Sequence, residues 1–549
     1  MDNQRLFLIV ILSAILLLIW QSWEKQHPAT TASSVTATRV TPAGAAPATP
    51  PAPPTPSAAP AVKAASATQT SGSPVYVTTD LFKAELTTSG ADLRRLYLKA
   101  YPVKVTEPHK PLELMRNQGS YVFYVESGLI GHSSQWPNHE TLYHAAATHY
   151  ALAPGEDVLQ IPFTWAGPHG LRVTKTYIFH RGSYVIDVRY AITNGGTATR
   201  DAYLYAQLLR SYIPPPHHLF GAKPSYVGAA VYTPSKKYRK ISFGDLKHKP
   251  LAIKSSGGWV AVLQQYFVSA WVPARNATTQ FYSENLGDHH YVVGYKTLTP
   301  TAIAPGATAT LGARLYAGPT NPTLLHKVTP GLDLAVDYGW LTFIASPLYW
   351  LLSHIHNVVG NWGWAIILLT VLIKLVFYPL SATSYRSMAQ LRRVQPKLAS
   401  LKERYGDDRE KLNKAMMEIY KTEKINPLGG CLPVVVQIPV FIALYWVLLQ
   451  SVALRQAPFI FWIHDLSAKD PYFILPVLMG ASMLIQQLIS PQMTDPLQRK
   501  VMLVMPVLFT FFFAFFPSGL VLYWVCQNIL SIAQQWWIMR RFNIAKPAK

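Results

Sequence analysis

Long apolar runs, separated by polar or mixed stretches, are the strongest pattern along the chain. A membrane-spanning helix needs roughly 20 largely apolar residues, and six runs come close to that length. Lys374 is their one charged residue, whereas buried helices of soluble proteins rarely lack charge on every face. The pattern predicts six transmembrane helices, at residues 6–23, 357–380, 428–452, 472–490, 501–517 and 519–539.

The first run and the stretch after it predict an anchor followed by a tether. No small-residue cleavage motif borders the first run, so residues 1–27 are predicted to be an uncleaved signal anchor rather than a secretory signal that is removed. Residues 28–74 are mostly Pro, Ala, Thr and Ser and include ten prolines. Such a segment cannot bury enough apolar area to offset its ordering entropy, which predicts a disordered linker.

Residues 75–330 carry the pattern of strands. Residues 121–125, 171–179 and 184–192 are rich in β-branched and aromatic residues, and residues 180–183 separate the last two as a hairpin turn would. This pattern predicts one large all-β sandwich domain.

Residues 331–347 join that domain to the second apolar run. A helix here would lie at the membrane interface; an ordinary connector is the alternative. The five remaining runs then form a five-span helical core at residues 348–541. The apolar face of the connecting helix would carry Leu334, Tyr338, Leu341 and Ala345.

The charge distribution gives the chain a direction across the membrane. The net charge is +22, and only 14% of the residues are charged. Eleven lysines and arginines fall in the predicted loop at residues 381–426, and two lysines fall in the tail at residues 542–549. Because cytoplasmic loops carry such an excess, both termini and this loop are predicted to be cytoplasmic, and the β domain to lie outside.

The basic loop at residues 381–426 predicts a helical hairpin. Residues 406–408 break it into two helices, and Pro396 is expected to kink the first. Such a hairpin suits contact with phospholipid, RNA or a partner protein; a solvated loop that only sets topology is the alternative. The bases expected to capture a partner are Arg392, Arg393, Lys397, Lys402 and Arg404.

Polar side chains inside the apolar runs are the candidate site. A charge such as Lys374 is costly in a bilayer and marks function by default, although its stem could snorkel to the headgroups. Several runs carry polar stripes, including Ser482, Gln486 and Ser490. We therefore expect a shared wet cavity rather than isolated interhelical hydrogen bonds. Its expected lining is Lys374, Thr370, Gln437, Tyr523, Gln527, Asn528 and Ser531.

Absences in the sequence disfavour several classes of function. No acidic residue lies in any apolar run, which disfavours a proton or sodium relay. The chain lacks a phosphate-binding loop and a His-Glu-x-x-His motif, and its two cysteines provide no disulfide framework. We expect no catalytic residue, no metal and no cofactor.

Five long motifs stand out in the second half of the chain. They are GNWGW at 360–364, INPLGGCLP at 425–433, LRQAPF at 454–459, WIHDLS at 462–467 and FPSGLVLYW at 516–524. These motifs resemble those of the YidC/Oxa/Alb family of membrane protein insertases, in its Gram-negative layout. The likeness is strong over residues 348–541 and looser over the first span, the linker and the β domain.

This resemblance implies an insertase and membrane chaperone that makes and breaks no covalent bonds. It implies a five-helix core around a hydrophilic groove that opens to the cytoplasm and to lipid, with the β domain outside and a cytoplasmic hairpin for substrate capture. The implied location is the bacterial inner membrane. The implied partners are nascent membrane proteins, the Sec translocon, the ribosome and membrane lipid. The family commonly places Arg where this chain has Lys374, so the charge is kept but the bidentate fork is lost.

Two other functions stay open from the residues alone. A solute transporter would usually show inverted repeats, and none is visible; substrate-dependent flux in liposomes would support it. A membrane-anchored carbohydrate-active enzyme would need paired carboxylates in the β domain, and activity of residues 75–322 on glycans would support it.

Overall fold

The computed structural model describes residues 72–119, 121–131, 135–214, 226–406, 408–423, 432–490 and 496–541. The predicted anchor at residues 1–27, the linker up to residue 71 and the tail at residues 542–549 lie outside the described residues. The chain forms two compact units, which divide between residues 392 and 393 and again between residues 426 and 427.

A β-rich domain occupies residues 74–319, as predicted. It consists of an eleven-stranded and a nine-stranded sheet, with one short helix, α1 (Phe243–His248). The strands are β1 Pro74–Thr78, β2 Phe82–Thr87, β3 Leu93–Pro102, β4 Pro111–Gln118, β5 Tyr121–Ile130, β6 His144–Ala145, β7 His149–Ala151, β8 Val158–Ala166, β9 Leu171–His180, β10 Val185–Asn194, β11 Arg200–Ser211, β12 Gly228–Thr233, β13 Lys237–Ile241, β14 Ala252–Ser256, β15 Trp259–Leu263, β16 Phe267–Pro273, β17 Thr278–Gly287, β18 His290–Thr297, β19 Thr301–Ile303 and β20 Thr308–Pro319.

The two sheets bury their inward side chains in one core. The larger sheet has the order β14-β17-β18-β11-β5-β4-β3-β2-β1-β7, with β19 beside β11, and the smaller has the order β13-β12-β15-β16-β20-β10-β9-β8-β6. The predicted strands at residues 121–125, 171–179 and 184–192 are found in β5, β9 and β10. Every second residue of β10 is buried, because side chains alternate between the two faces of a strand. Phe123 from β5 and Phe179 from β9 are both buried in this core.

A buried ion pair joins the two sheets across the core. Lys175 on β9 is fully buried, and its Nζ donates to Asp92 Oδ1 at 3.2 Å and to the carbonyl oxygens of Gly90 and Ser127 at 2.8 and 3.1 Å. Asp92 Oδ2 also accepts from Arg94 Nη2 at 3.3 Å. Burial lowers the pKa of Lys175, although Asp92 favours its charged form. The ammonium group thus has three acceptors, as a buried charge requires.

The rest of the described chain is helical. Short turns or longer loops join its helices, and 3-10 turns lie at Leu332–Ala335, Gly339–Leu341 and Val452–Leu454. The helices are α2 Pro322–Val328, α3 Thr342–Val359, α4 Trp362–Val376, α5 Tyr378–Tyr405, α6 Arg409–Thr422, α7 Leu432–Gln450, α8 Ile474–Ile489, α9 Pro496–Phe513 and α10 Ser518–Arg541.

Within the described residues, no one helix has both the length and the apolar character needed to cross a bilayer. Helix α4 (Trp362–Val376) and the first half of α5 (Tyr378–Leu391) meet both criteria when taken together, and they are bent by 67° relative to each other. Shorter apolar segments lie within α7 at Val436–Gln450, in α8 at Ile474–Ile489 and within α9 at Lys500–Phe513.

The prediction of one continuous helix at residues 357–380 is wrong. Helix α3 ends at Val359, because Gly360 adopts a left-handed conformation (φ 69°) that stops the helix. The Asn361 side chain then accepts hydrogen bonds from the backbone N–H groups of Gly363 and Trp364 and starts α4. A second break at Phe377 separates α4 from α5.

The single helix predicted at residues 331–347 is also wrong in its extent. The N–H of Gly339 donates to Asp337 Oδ1 at 2.6 Å, and Gly339 has a φ of +66°. This turn interrupts the helix, because an Asp side chain bonded to the backbone two residues later competes with helical bonding. A regular helix begins only at Thr342.

The hairpin follows the prediction at its break. Helix α5 ends at Tyr405 and α6 begins at Arg409, with Asp408 Oδ1 accepting from the N–H of Lys411 at 3.1 Å as an N-cap. Pro396, the expected kink, lies inside α5 and does not end it.

The β domain and the helices share a second apolar core. Trp259 and Tyr316, on the side of the smaller sheet that faces away from the first core, pack in one cluster with Tyr338 and Leu341 of the connector and with Leu369 of α4. One side of the connector is therefore buried in this core, whereas Trp340 on it is exposed.

We predict that the Asp92–Lys175 pair is strongly coupled. Asp92→Asn or Lys175→Met alone is expected to lower the free energy of unfolding by about 3 kcal/mol. The first change leaves the Lys175 ammonium buried without a counter-charge, and the second leaves the Asp92 carboxylate with Arg94 as its remaining cation. The double variant should lose less than the sum of the two. Urea unfolding of the full chain in detergent measures this, with Lys254→Met on exposed β14 as the control. Strictly additive losses would contradict the prediction.

Candidate functional site

A stripe of polar side chains on α10 collects partners from three other helices. Lys374 on α4 donates from Nζ to Ser531 Oγ at 2.7 Å, and Ser531 Oγ donates to the carbonyl oxygen of Gln527 at 2.7 Å. Gln527 Nε2 lies 3.4 Å from Gln437 Oε1 on α7, which is a long hydrogen bond. The stripe therefore holds helices together through hydrogen bonds at the i, i+4 spacing of one helical face.

Lys374 is incompletely paired at this site. Its side chain is only 8% exposed. Ser531 supplies its one hydrogen bond among the described residues, and no carboxylate of those residues forms an ion pair with it. An ammonium group has three donors, so two remain for water or for a bound chain. Gln527 Oε1 is buried and likewise has no partner among the described residues.

A cavity of about 250 Å³ lies around these groups. We call it the polar cavity. Its lining mixes hydroxyl, amide and ammonium groups with aromatic and aliphatic ones, so it suits a chain that is partly polar. Five helices contribute the lining, which consists of Lys374, Ser381, Ser384, Tyr385, Met388, Gln437, Ile438, Phe441, Gln486, Tyr523, Trp524, Gln527, Asn528 and Ser531.

The structure brings together six of the seven predicted groove residues. The exception is Thr370, which is buried but does not line the polar cavity, because its hydroxyl donates to the carbonyl oxygen of Ile366 at 2.7 Å within its own helix. The six that line the cavity are Lys374, Gln437, Tyr523, Gln527, Asn528 and Ser531.

The predicted groove leaves out the lining residues in the first turns of α5, because the sequence prediction counts them in the basic loop at residues 381–426. These residues are Ser381, Ser384, Tyr385 and Met388. Their spacing of three and four residues was the available signal, since it puts them on one helical face. The predicted groove also leaves out Ile438, Phe441, Gln486 and Trp524.

The polar stripe on α8 divides between two roles. Gln486 lines the polar cavity. Ser482 Oγ instead accepts from Asn528 Nδ2 at 2.9 Å, and Ser490 Oγ accepts from Gln535 Nε2 at 3.3 Å. The two serines therefore join α8 to α10, and interhelical bonds of this kind are worth about 0.6 kcal/mol each in a membrane.

A loop at residues 452–473 gathers the N-terminal ends of three helices. The Asp470 carboxylate is buried and accepts from Trp462 Nε1 at 3.0 Å and from the N–H of Leu475 in the first turn of α8 at 2.7 Å. A carboxylate is favoured there, because the N–H groups at a helix N-terminus carry partial positive charge. Asn361 Nδ2 at the start of α4 donates to the carbonyl oxygen of Phe459 at 3.3 Å. At the start of α10, the N–H of Gly519 donates to the carbonyl oxygen of Leu466 at 2.9 Å.

The same loop also contacts the β domain. Arg455 Nη2 and Gln456 Nε2 donate to the carbonyl oxygen of Pro102 at the end of β3, at 2.7 and 3.0 Å. Lys374 lies twelve residues beyond Trp362, or about 18 Å along α4 from this loop. The loop therefore closes one end of the helices, and the charge of the polar cavity lies toward the other end.

The structure describes the side chains of three of the five predicted hairpin bases. Arg393, Lys397 and Arg404 are exposed, whereas the side chains of Arg392 and Lys402 lie outside the described residues. Lys397 Nζ pairs with Glu423 Oε1 at 2.6 Å and so joins α5 to the end of α6. This contact lowers the pKa of Glu423.

Two family models match the chain in succession. The model described as the YidC periplasmic domain matches residues 74–351, and the model described as a 60Kd inner membrane protein matches residues 354–546. Together they span the β-rich domain and the helical region.

Relatives match over their whole length. The membrane protein insertase YidC of Methylobacillus flagellatus is 49% identical over 558 residues, which is 100% of this chain and 99% of the relative. That of Nitrosococcus oceani is 48% identical over 553 residues, 99% of each chain. A solved structure described as an active YidC insertase with its first transmembrane domain resolved covers 84% of this chain and 91% of its own, at 16% identity and a TM-score of 0.37.

Asp470→Asn is predicted to loosen the 452–473 loop. It removes the negative charge that the N-terminus of α8 favours, so we expect a loss of about 1.5–3 kcal/mol, typical of hydrogen bonds to charged groups. Thermal unfolding of the full chain in detergent measures the loss. Glu107→Gln, at a partly exposed carboxylate of the β domain, is the control. Equal melting temperatures for the two variants would show that Asp470 contributes nothing beyond an amide.

Proposed function

Because the chain belongs to the YidC family of membrane protein insertases, we propose that it inserts membrane proteins into the bacterial inner membrane, and helps them fold, through the polar cavity around Lys374. The relatives' names give the activity, and the geometry of the cavity supports the proposed mechanism. The chain acts without catalysing a covalent step, and it carries a periplasmic β domain.

The observation that carries this mechanism is a buried cation with spare donors beside hydroxyl and amide groups. Moving a polar segment through hydrocarbon leaves its polar groups unpaired, at several kcal/mol each. A cavity that pairs some of them shortens the apolar part of the path. The apolar segment of the client then leaves for lipid, because removal of its surface from water is favourable. No nucleotide is required.

Lys374 acts in this mechanism as a point charge. The lysine ammonium lacks the planar fork with which arginine holds a carboxylate in two places. Its bond to Ser531 leaves room for transient contacts with acidic or carbonyl groups of a passing chain. A binding group that holds weakly suits transport, since the client must also leave.

We propose a five-span core for the helical region, with both termini and the basic hairpin in the cytoplasm. The excess of bases in the hairpin supports this orientation. The 452–473 loop then faces the periplasm, on the same side as the β domain that it contacts through Pro102. The polar cavity lies toward the cytoplasmic end of the helices.

The hairpin is proposed to capture clients before they reach the cavity. Its exposed bases Arg393 and Arg404 suit acidic segments, the RNA of a ribosome or anionic lipid. Cooperation with the Sec translocon belongs to the same proposal and rests on the family alone.

The charge at position 374 is predicted to matter more than its shape. Lys374→Arg should keep insertion, whereas Lys374→Glu should reduce insertion of single-span clients with acidic translocated tails at least tenfold, because juxtaposed like charges cost several kcal/mol. Complementation of a depletion strain and protease protection of the client tail measure this. Lys327→Glu on exposed α2 is the matched charge reversal. Full activity of the Lys374→Glu variant would remove the cation from the mechanism.

Removal of the hairpin is predicted to slow capture while leaving the cavity formed. The deletion should begin at residue 393, since residues 381–388 contribute to the cavity lining. Crosslinking of a nascent chain to position 437 should be slower at low salt, and the difference should shrink as salt screens the bases. Arg393→Gln with Arg404→Gln is the milder variant. Unchanged early crosslinking at low salt would leave the loop as a topology signal only.

A further inference from the structure

Phe461, in the 452–473 loop, combines an exposed ring with an unfavourable backbone. Its side chain is 80% exposed, and its φ is +53°. A bulky residue in this left-handed region is strained. A loop exposed only to water would gain from Gly or Asn here, because these residues tolerate the conformation and expose no apolar ring. The local backbone therefore does not explain why an exposed aromatic ring occupies this position.

The ring is held rigidly in this exposed position. It stacks on Trp462, with the ring centroids 6.0 Å apart and the planes 17° apart. Trp462 is fixed in turn by its Nε1 bond to Asp470. The backbone turn is closed by the N–H of Phe459, which donates to the carbonyl oxygen of Ile463 at 2.9 Å. Phe461 is thus presented by an ordered turn.

Other exposed aromatic side chains lie at the same end of the helices. Trp364 is in the first turn of α4 and packs against Phe459, with centroids 5.6 Å apart. Tyr472, which is 68% exposed, lies two residues before the start of α8 at Ile474. Aromatic residues at the ends of apolar helices mark the boundary between lipid and water.

Exposed aliphatic side chains continue from this aromatic level along the helices. Val477 and Leu478 on α8 and Leu368 and Leu372 on α4 are all exposed. Apolar surface of this extent belongs against hydrocarbon. The aromatic level therefore borders a lipid-facing surface.

We propose that the turn carrying Phe461 and Trp462 inserts the Phe461 ring into the periplasmic leaflet of the bilayer, at the boundary between headgroups and acyl chains. The inference rests on the proposed membrane location. The occupant is lipid, because the aromatic level continues into the aliphatic surface of the helices. Lys469, beside Asp470 in sequence and exposed, adds a cation that suits the phosphate of a headgroup. The insertion would hold the 452–473 loop at a fixed depth over the closed end of the helices.

Quenching of a fluorophore tests this position. Cysteine variants in a background of Cys431→Ser and Cys526→Ser would carry an environment-sensitive dye in liposomes of phosphatidylethanolamine and phosphatidylglycerol. The dye at Phe461→Cys should be quenched more by a lipid spin label near the headgroup than by one deep in the chains. Quenching by aqueous iodide should be roughly threefold weaker than for Val158→Cys, because an inserted dye loses most of its contact with water.

Two controls separate this inference from the membrane location itself. Val158 lies on β8 of the smaller sheet. It is four strands, or about 19 Å, from β16, which packs in the core shared with the helices. Val507 is exposed on α9 and should be quenched by the deep label. Strong iodide quenching at position 461 with lipid quenching at position 507 would overturn the inference alone. Absence of lipid quenching at position 507 would overturn the membrane location too.

Unlabelled variants distinguish lipid contact from local turn stability. Phe461→Asn relieves the backbone strain but removes the apolar group, whereas Phe461→Leu keeps both. If lipid orders the turn, hydrogen exchange at Ile463 in liposomes should be about tenfold faster in the Asn variant than in the Leu variant. Equal or slower exchange in the Asn variant would show that the turn is ordered by its own backbone, or by a protein partner lost on purification, and would overturn the proposal.

Discussion

Polar groups on apolar helices must find partners inside the bundle, and the arrangement of the helical region depends on this constraint. Helix α10 carries the groups that meet it. Ser531, Gln527 and Asn528 reach α4, α7 and α8 respectively. In hydrocarbon each group would cost several kcal/mol if left alone. A change of register by one residue would separate all three pairs at once.

In the polar cavity, some of these polar groups lack a hydrogen-bond partner among the described residues. Ser482 and Ser490 accept hydrogen bonds from α10 and donate within α8. The Thr370 hydroxyl likewise donates within its own helix. The Lys374 ammonium keeps two donors that have no partner among the described residues. Polar residues on these helices can therefore either join helices or bind a client. Which they do depends on how many hydrogen-bond partners lie within reach.

The sequence predicted the type of structure in each region better than the ends of its helices or the contacts between distant residues. Enrichment in β-branched and aromatic residues predicted β9, β10 and the all-β domain, and a lone charge among polar stripes predicted six of the residues around the cavity. The break at Gly360 and Asn361 was missed because apolar length alone defined the run. The Asp92–Lys175 contact was invisible because it joins residues 83 positions apart. Thr370 shares a face with Lys374 on an ideal helix, but face-sharing does not say where a hydroxyl points.

The second apolar core has a consequence for how the molecule divides. Trp259 and Tyr316 of the sheet are covered by Tyr338 and Leu341, which lie beyond the last strand. A cut directly after Pro319 would uncover aromatic surface, whereas a cut after Leu341 would leave part of its cover in place. The connector therefore packs as part of both the β domain and the helical region. The smallest soluble fragment of the chain is therefore longer than its strands, and heat should melt the sheet and the adjoining helices as coupled rather than independent bodies.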